Sequence, residues 1–154
     1  MKDAYLLTVY FDASCKLCNS EMQNIKLHDI ENRLMLVDCS APEFDDGPFL
    51  MEGITRDVMM NCLHVRNDQG VWIKGVAAFE VIYRSVGMVS IAKLWGHPIT
   101  RPLAERAYPW VVRHRHFLSR LGLHKLFNLW SRHAARQADK RSRQCSEGKC
   151  SITH

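Results

Sequence analysis

No apolar run in this 154-residue chain approaches the ~18 residues that a bilayer-crossing helix needs, so no membrane-spanning segment is expected. The N-terminus, Met1-Lys2-Asp3-Ala4, lacks the long apolar stretch and small-residue site of a secretory leader. The expected setting is the cytoplasm, where thiols stay reduced and a close cysteine pair seldom serves as a structural bridge. There is no Gly-x-x-x-x-Gly-Lys loop, no Gly-x-Gly-x-x-Gly after a strand and no Gly-x-Ser-x-Gly elbow. Nucleotide binding and serine-hydrolase chemistry therefore find no support. Acids are scarce near the end: residues 101–154 carry twelve Lys/Arg against three Asp/Glu, whereas residues 1–100 carry nine against thirteen. The net charge of +5 thus belongs to the C-terminal third. Read as the solvated face of terminal helices, that excess predicts neither nucleic acid nor a membrane surface as partner.

What is present starts with Asp12-Ala13-Ser14-Cys15-Lys16-Leu17-Cys18, directly after the apolar run Tyr5–Phe11. The run is β-branched and aromatic in part, the look of a strand buried on both faces. Asn19–Ile30 reads as a helix, with Cys18, Met22 and Ile25 on one stripe. Two thiols then stand at a strand-to-helix turn, where free N–H groups and the helix dipole favour a thiolate. Two intervening residues let such a pair close into a disulfide and reopen, so a redox site is expected.

At 47% hydrophobic and 24% charged residues, the chain suits one globular domain with a core of its own. Leu34–Val37 is a second apolar run, which completes a βαβ unit. Ala41–Gly53 reads as a loop leading into a short helix. Asn61–Val65 and Val71–Ile73 flank a turn at Arg66–Gly70 and predict an antiparallel hairpin. Gly75 opens a helix over Val76–Val86, with Gly87 as its stop. Met88–Trp95 predicts another helix, and the chain after Pro102 reads as helical. The order β-α-β-(α)-β-β-α predicts an α/β, thioredoxin-like mixed sheet flanked by helices. The expected organisation is a redox domain over residues 1–100, a helical extension over 101–136 that packs on it, and a basic tail over 137–154.

These residues resemble the DCC family of thiol-disulfide oxidoreductases, named for an Asp-x-x-Cys-x-x-Cys motif matched by Asp12, Cys15 and Cys18. The likeness continues through Trp72–Phe79, Leu94-Trp95-Gly96-His97-Pro98 and Tyr108–Arg115 and covers roughly residues 5–122. It implies a thioredoxin-like fold and protein-disulfide reductase activity without an organic cofactor. The substrate would be a disulfide-containing protein or a small thiol compound, with electrons from a cellular thiol system. By resemblance and position Cys15 is the nucleophile and the more accessible thiol. Cys18, deeper on the helix, is the resolving thiol. Asp12 is either a proton acceptor for Cys18 or a helix cap. Thioredoxins place a cis-proline before the strand facing the active site, but Asp57–Asn61 contains none, which leaves Met60 as the residue expected there.

The other cysteines and histidines carry weaker signals. Cys39 and Cys62 read as small buried hydrophobes. Cys145 and Cys150 read as idle or easily oxidised thiols in the tail, although a small disulfide loop or half of a metal site is also open to them. No metal site is expected at Cys15 and Cys18, because the second close ligand pair of a zinc ribbon is missing. His97, His114, His116, His124 and His133 match no ligand spacing. Trp110, Phe117, Phe127 and Trp130 are expected on the inner face of core-covering helices. The alternative function is a non-enzymatic module that keeps the fold but binds metal through cysteines, or an acidic partner through its basic tail.

Overall fold

A computed structural model of the chain describes residues 7–122 together with Lys125. The expectations for Tyr5, His124, Phe127, Trp130, His133, Cys145, Cys150 and the 137–154 tail lie outside the described residues. The elements run β1 (Leu7–Phe11), α1 (Lys16–Leu27), β2 (Leu34–Asp38), a 3-10 helix (Gly47–Glu52), α2 (Arg56–Asn61), β3 (His64–Arg66), β4 (Trp72–Lys74), α3 (Val76–Ser85), α4 (Val89–Gly96) and α5 (Thr100–Arg120). The sheet order is β2-β1-β3-β4. β1 pairs parallel with β2, from Leu7 opposite Leu34 to Phe11 opposite Asp38. It pairs antiparallel with β3, which in turn pairs antiparallel with β4. This is the α/β, thioredoxin-like sheet that the element order predicts.

Side chains alternate across a strand, and β1 uses both faces. Leu7, Val9 and Phe11 join Leu34 and Val65 under Met22 and Ile25 of α1 and Ala78, Phe79 and Ile82 of α3. Tyr10 faces the other way, into a smaller cluster with Met59 of α2 and Cys39. There its ring meets Phe49 at 5.5 Å and Trp72 at 5.2 Å between centroids. A continuous apolar run is what a strand covered on both sides requires.

Several boundaries move. α1 starts three residues before Asn19, taking Lys16, Leu17 and Cys18 into its first turn. It stops at Leu27, because the buried Asp29 carboxylate gathers Lys26 Nζ and the backbone N–H groups of Arg33 and Leu34 at 2.7–2.9 Å into a tight turn. Asn61 ends α2 and is not part of the hairpin. Met60 likewise lies in α2, so the segment entering β3 is Cys62-Leu63, and the described residues contain no cis peptide bond. The cause is Thr55, whose hydroxyl caps α2 by accepting from the Val58 N–H at 3.3 Å. The predicted stop at Gly87 takes a left-handed φ of +79° just past α3, a conformation glycine adopts at little cost.

α5 is one helix with Pro109 inside it, and it packs on α1, α3 and α4. Its inner face is set by Tyr108, Val111, Val112 and Arg115, spaced three and four apart. The expectation that Trp110 and Phe117 lie on that face is incorrect: they are 58% and 59% exposed. Tyr108 and Arg115 win the inner positions because each finds a buried polar partner there. Among the described residues no helix is long and apolar enough to cross a membrane.

Candidate active site

The parallel strand ends build the platform. Asp38, at the end of β2, accepts from Ala13 N at 3.1 Å and from Ser40 N at 2.8 Å, tying the loop after β1 to its neighbour. Asp12, at the end of β1, is itself buried and accepts through Oδ1 from Ser14 N at 3.0 Å and from the Ser14 hydroxyl. Its other oxygen, Oδ2, meets Arg115 Nη2 of α5 at 3.0 Å. Asp12 is therefore not the cap of α1. It closes a side-chain turn onto Ser14 and anchors a helix contributed from more than a hundred residues away.

The cap is the first cysteine. Cys15 precedes α1 with extended backbone (φ −78°, ψ 106°), and its sulfur accepts from the Cys18 N–H at 3.4 Å. The Cys18 thiol points at the same atom, with the two sulfurs 2.7 Å apart. Donation by that thiol is the main force lowering the Cys15 pKa to about 6. Burial opposes it, and the Cys18 and Leu17 amides and the nearby His116 of α5 reinforce it. Cys18 responds in the opposite sense: holding its proton on Cys15, burial and the adjacent thiolate charge raise its pKa well above the ordinary thiol range, while Arg115 pulls the other way. One thiol is a stable thiolate and its neighbour a reluctant acid. That polarity is what a nucleophile and a later-acting partner need.

Accessibility departs from expectation. Cys15 is fully buried at 0% exposure, and Cys18 is the half-buried one. Cys15 is folded into the turn before α1, and α5 packs on α1 with His116 close enough to favour the Cys15 thiolate.

Cys18 instead opens onto a cavity of about 90 Å³. Its walls are largely apolar, and its polar members besides Cys18 are Asp12, Glu21, Asn61, Cys62, Tyr108 and Arg115. Cys62 is half-buried on this wall, so the reading of it as a core hydrophobe fails, whereas Cys39 is fully buried with its sulfur 3.7 Å from that of Met59. Burial pushes the Cys39 thiol up to about 12, which makes it inert as a nucleophile at neutral pH. The Tyr108 hydroxyl accepts from Leu63 N at 2.9 Å, fixing α5 over the segment that enters β3. Gly75 is explained by its backbone rather than by crowding: it takes φ +62° and ψ −134° at the start of α3, a conformation that side chains disfavour. An added Cβ would make only ordinary contact with the Tyr108 ring at 3.6 Å and Cys62 Sγ at 3.9 Å.

Sequence reasoning gives no role in the site to Glu21, Cys62, Tyr108 or Arg115, although Cys62 reads as a buried thiol and Tyr108 and Arg115 delimit a family-like segment. Only Glu21 had a local signal, three residues after Cys18, and it needed the earlier start of α1 to show. His97 and His114 make local contacts: His97 Nδ1 accepts from Ile99 N, and His114 Nδ1 lies 2.8 Å from Trp110 O. Among the described residues, no group of three or more His, Cys, Asp and Glu can hold a metal ion.

Comparison with known proteins adds one finding. Residues 9–121 match the family model described as DCC1-like thiol-disulfide oxidoreductase. No curated protein and no solved structure matches the chain.

Proposed function

Because the chain belongs to the DCC1-like thiol-disulfide oxidoreductase family, we propose that it works as a protein-disulfide reductase of the cytoplasm, with Cys15 attacking and Cys18 resolving. The observation that carries this reading is the asymmetric thiol pair: a Cys15 thiolate favoured down to about pH 6, next to a Cys18 that keeps its proton.

The Cys15 thiolate attacks one sulfur of a substrate disulfide R–S–S–R′. A Cys15–S–S–R bond forms, the S–S bond of the substrate breaks, and R′–S⁻ leaves with the electron pair. Cys18 then loses its proton and attacks Cys15 Sγ. The Cys15–Cys18 disulfide closes and R–S⁻ leaves. Two electrons have passed from the protein to the substrate, and a cellular dithiol returns them in a later cycle. The substrate is a disulfide-containing protein or a small disulfide. Asp12 serves the step by holding the loop that carries both cysteines, through Ser14 and Arg115.

The test is a cysteine series assayed for reduction of a protein disulfide such as that of insulin. Cys15→Ser is expected to abolish reduction. Cys18→Ser is expected to form a mixed disulfide with substrate that only added dithiol releases. Full reductase activity in both variants would refute the assignment.

A further inference from the structure

Release of the reduced substrate needs a base for Cys18, and the geometry points to Glu21 as that proton acceptor. The inference rests on the reductase reading and deepens it. Glu21 follows Cys18 by three residues on α1, the spacing that puts two side chains on one helix face. Both residues line the same cavity, whose 90 Å³ is more than one water needs, so a proton has a path between them either directly or through solvent.

The competing carboxylate is already committed. Asp12 accepts from two groups of Ser14 through one oxygen and meets the Arg115 guanidinium with the other, so both carboxylate oxygens are engaged away from Cys18. Glu21 has no ion-pair partner among the described residues. Its contact is the Tyr83 hydroxyl of α3, which donates to Oε1 at 3.3 Å. Burial is the main reason its carboxyl is pushed up to about 7; the Tyr83 bond opposes that and the Cys15 charge adds to it. A base works best when its pKa lies near the working pH, and an uncompensated carboxyl in an apolar wall meets that condition. The titratable and charged groups bordering this cavity or acting on Glu21 are Asp12 just past β1, Cys62 from the segment before β3, Tyr83 from α3, Tyr108 and Arg115 from α5, and Cys15 and Cys18 themselves.

In the mixed disulfide Cys15 carries no charge, so the thiolate that held the Cys18 proton is gone. The Cys18 Sγ–H proton passes to the Glu21 carboxylate. The sulfur lone pair forms the bond to Cys15 Sγ, the Cys15–S–R bond breaks, and R–S⁻ departs with the electrons. The protonated Glu21 then returns its proton to the leaving thiolate or to solvent.

The test uses reduced full-length protein mixed with hydroxyethyl disulfide, quenched in acid at intervals. Mass spectrometry then scores the Cys15–Cys18 peptide as mixed or internal disulfide. Formation of the mixed species is expected to rise with pH through about 6, following Cys15, and its conversion through a separate midpoint that follows Glu21. That second midpoint is displaced below about 7, because the Cys15 charge that helps to raise it is absent from the mixed disulfide. Glu21→Gln is expected to slow conversion roughly a hundredfold at pH 8 and to erase its midpoint, while formation keeps its own. Tyr83→Phe, a milder change, is expected to move the conversion midpoint upward, because the bond it removes favours the carboxylate. Unchanged conversion in Glu21→Gln, or a midpoint lost in Asp12→Asn instead, would overturn the inference. Failure of wild-type protein to form any mixed species at Cys15 would overturn the reductase reading itself, and this inference with it.

Discussion

The Asp12–Arg115 ion pair joins the first strand to the last described helix, with side chains only 2% and 12% exposed. Two charges removed from water attract strongly, but each depends on the other to offset its lost hydration. Removing one leaves an uncompensated buried charge, at a cost of about 3–5 kcal/mol. Arg115→Ala is therefore expected to lower stability by that order in denaturant titration. Arg115→Lys is expected to recover only part of it, since an ammonium keeps the charge but not the planar geometry. A change below about 1 kcal/mol in Arg115→Ala would mean that the pair is hydrated in solution. The same pair ties α5 to the loop that carries both cysteines, so this contact orders the site as well as stabilising the fold.

The turn between α1 and β2 depends on one carboxylate. Asp29 accepts from Lys26 Nζ at 2.7 Å, Arg33 N at 2.7 Å and Leu34 N at 2.9 Å. Burial alone would raise its pKa, but those three donors outweigh it and hold the carboxyl below the usual range. A depressed folded-state value means stability that is present above the unfolded pKa and lost as pH falls through the folded one. Asp29→Ala is expected to cost about 2 kcal/mol at pH 7, from amides left unsatisfied. That cost should shrink in unfolding experiments below about pH 4, where the unfolded chain's carboxyl takes up a proton before the folded one does.

Elements were readable wherever the signal was local. β1 declared itself by a continuous apolar run, and α3 by its periodicity between Gly75 and Gly87. Cys15 and Cys18 were found because their spacing is itself the chemistry. The misplacements at Met60 and Asn61 came from starting the strand at Asn61 and setting Met60 at the cis-proline place of thioredoxins, when the Thr55 cap had already started α2. Cys62, Tyr108 and Arg115 were out of reach for another reason. They converge on Cys18 only after the helix at residues 100–120 has docked, and nothing in a linear string states which face of that helix turns inward. The wrong inward placement of Trp110 and Phe117 has the same origin: aromatic content suggested burial, but buried polar partners decided the rotation.

The packing of α5 against α1 also sets the terms on which the nucleophile meets the outside. Near neutral pH Cys15 is mostly ionised, since its pKa lies at about 6, yet at 0% exposure it offers no surface to a reagent. Charge and reach are uncoupled, so a titration alone would overstate how fast this sulfur reacts. Iodoacetamide at pH 7.5 is expected to label Cys15 at least roughly tenfold more slowly than a thiolate of that pKa in an unfolded peptide, with the deficit reporting how seldom the site is uncovered. Labelling of Arg115→Ala, which loses the clasp holding α5 in place, should quicken; equal rates would mean that α5 does not shield the thiolate. The practical outcome is that the pace of reaction with any disulfide, small or large, follows how often the site uncovers rather than how fully the sulfur is ionised.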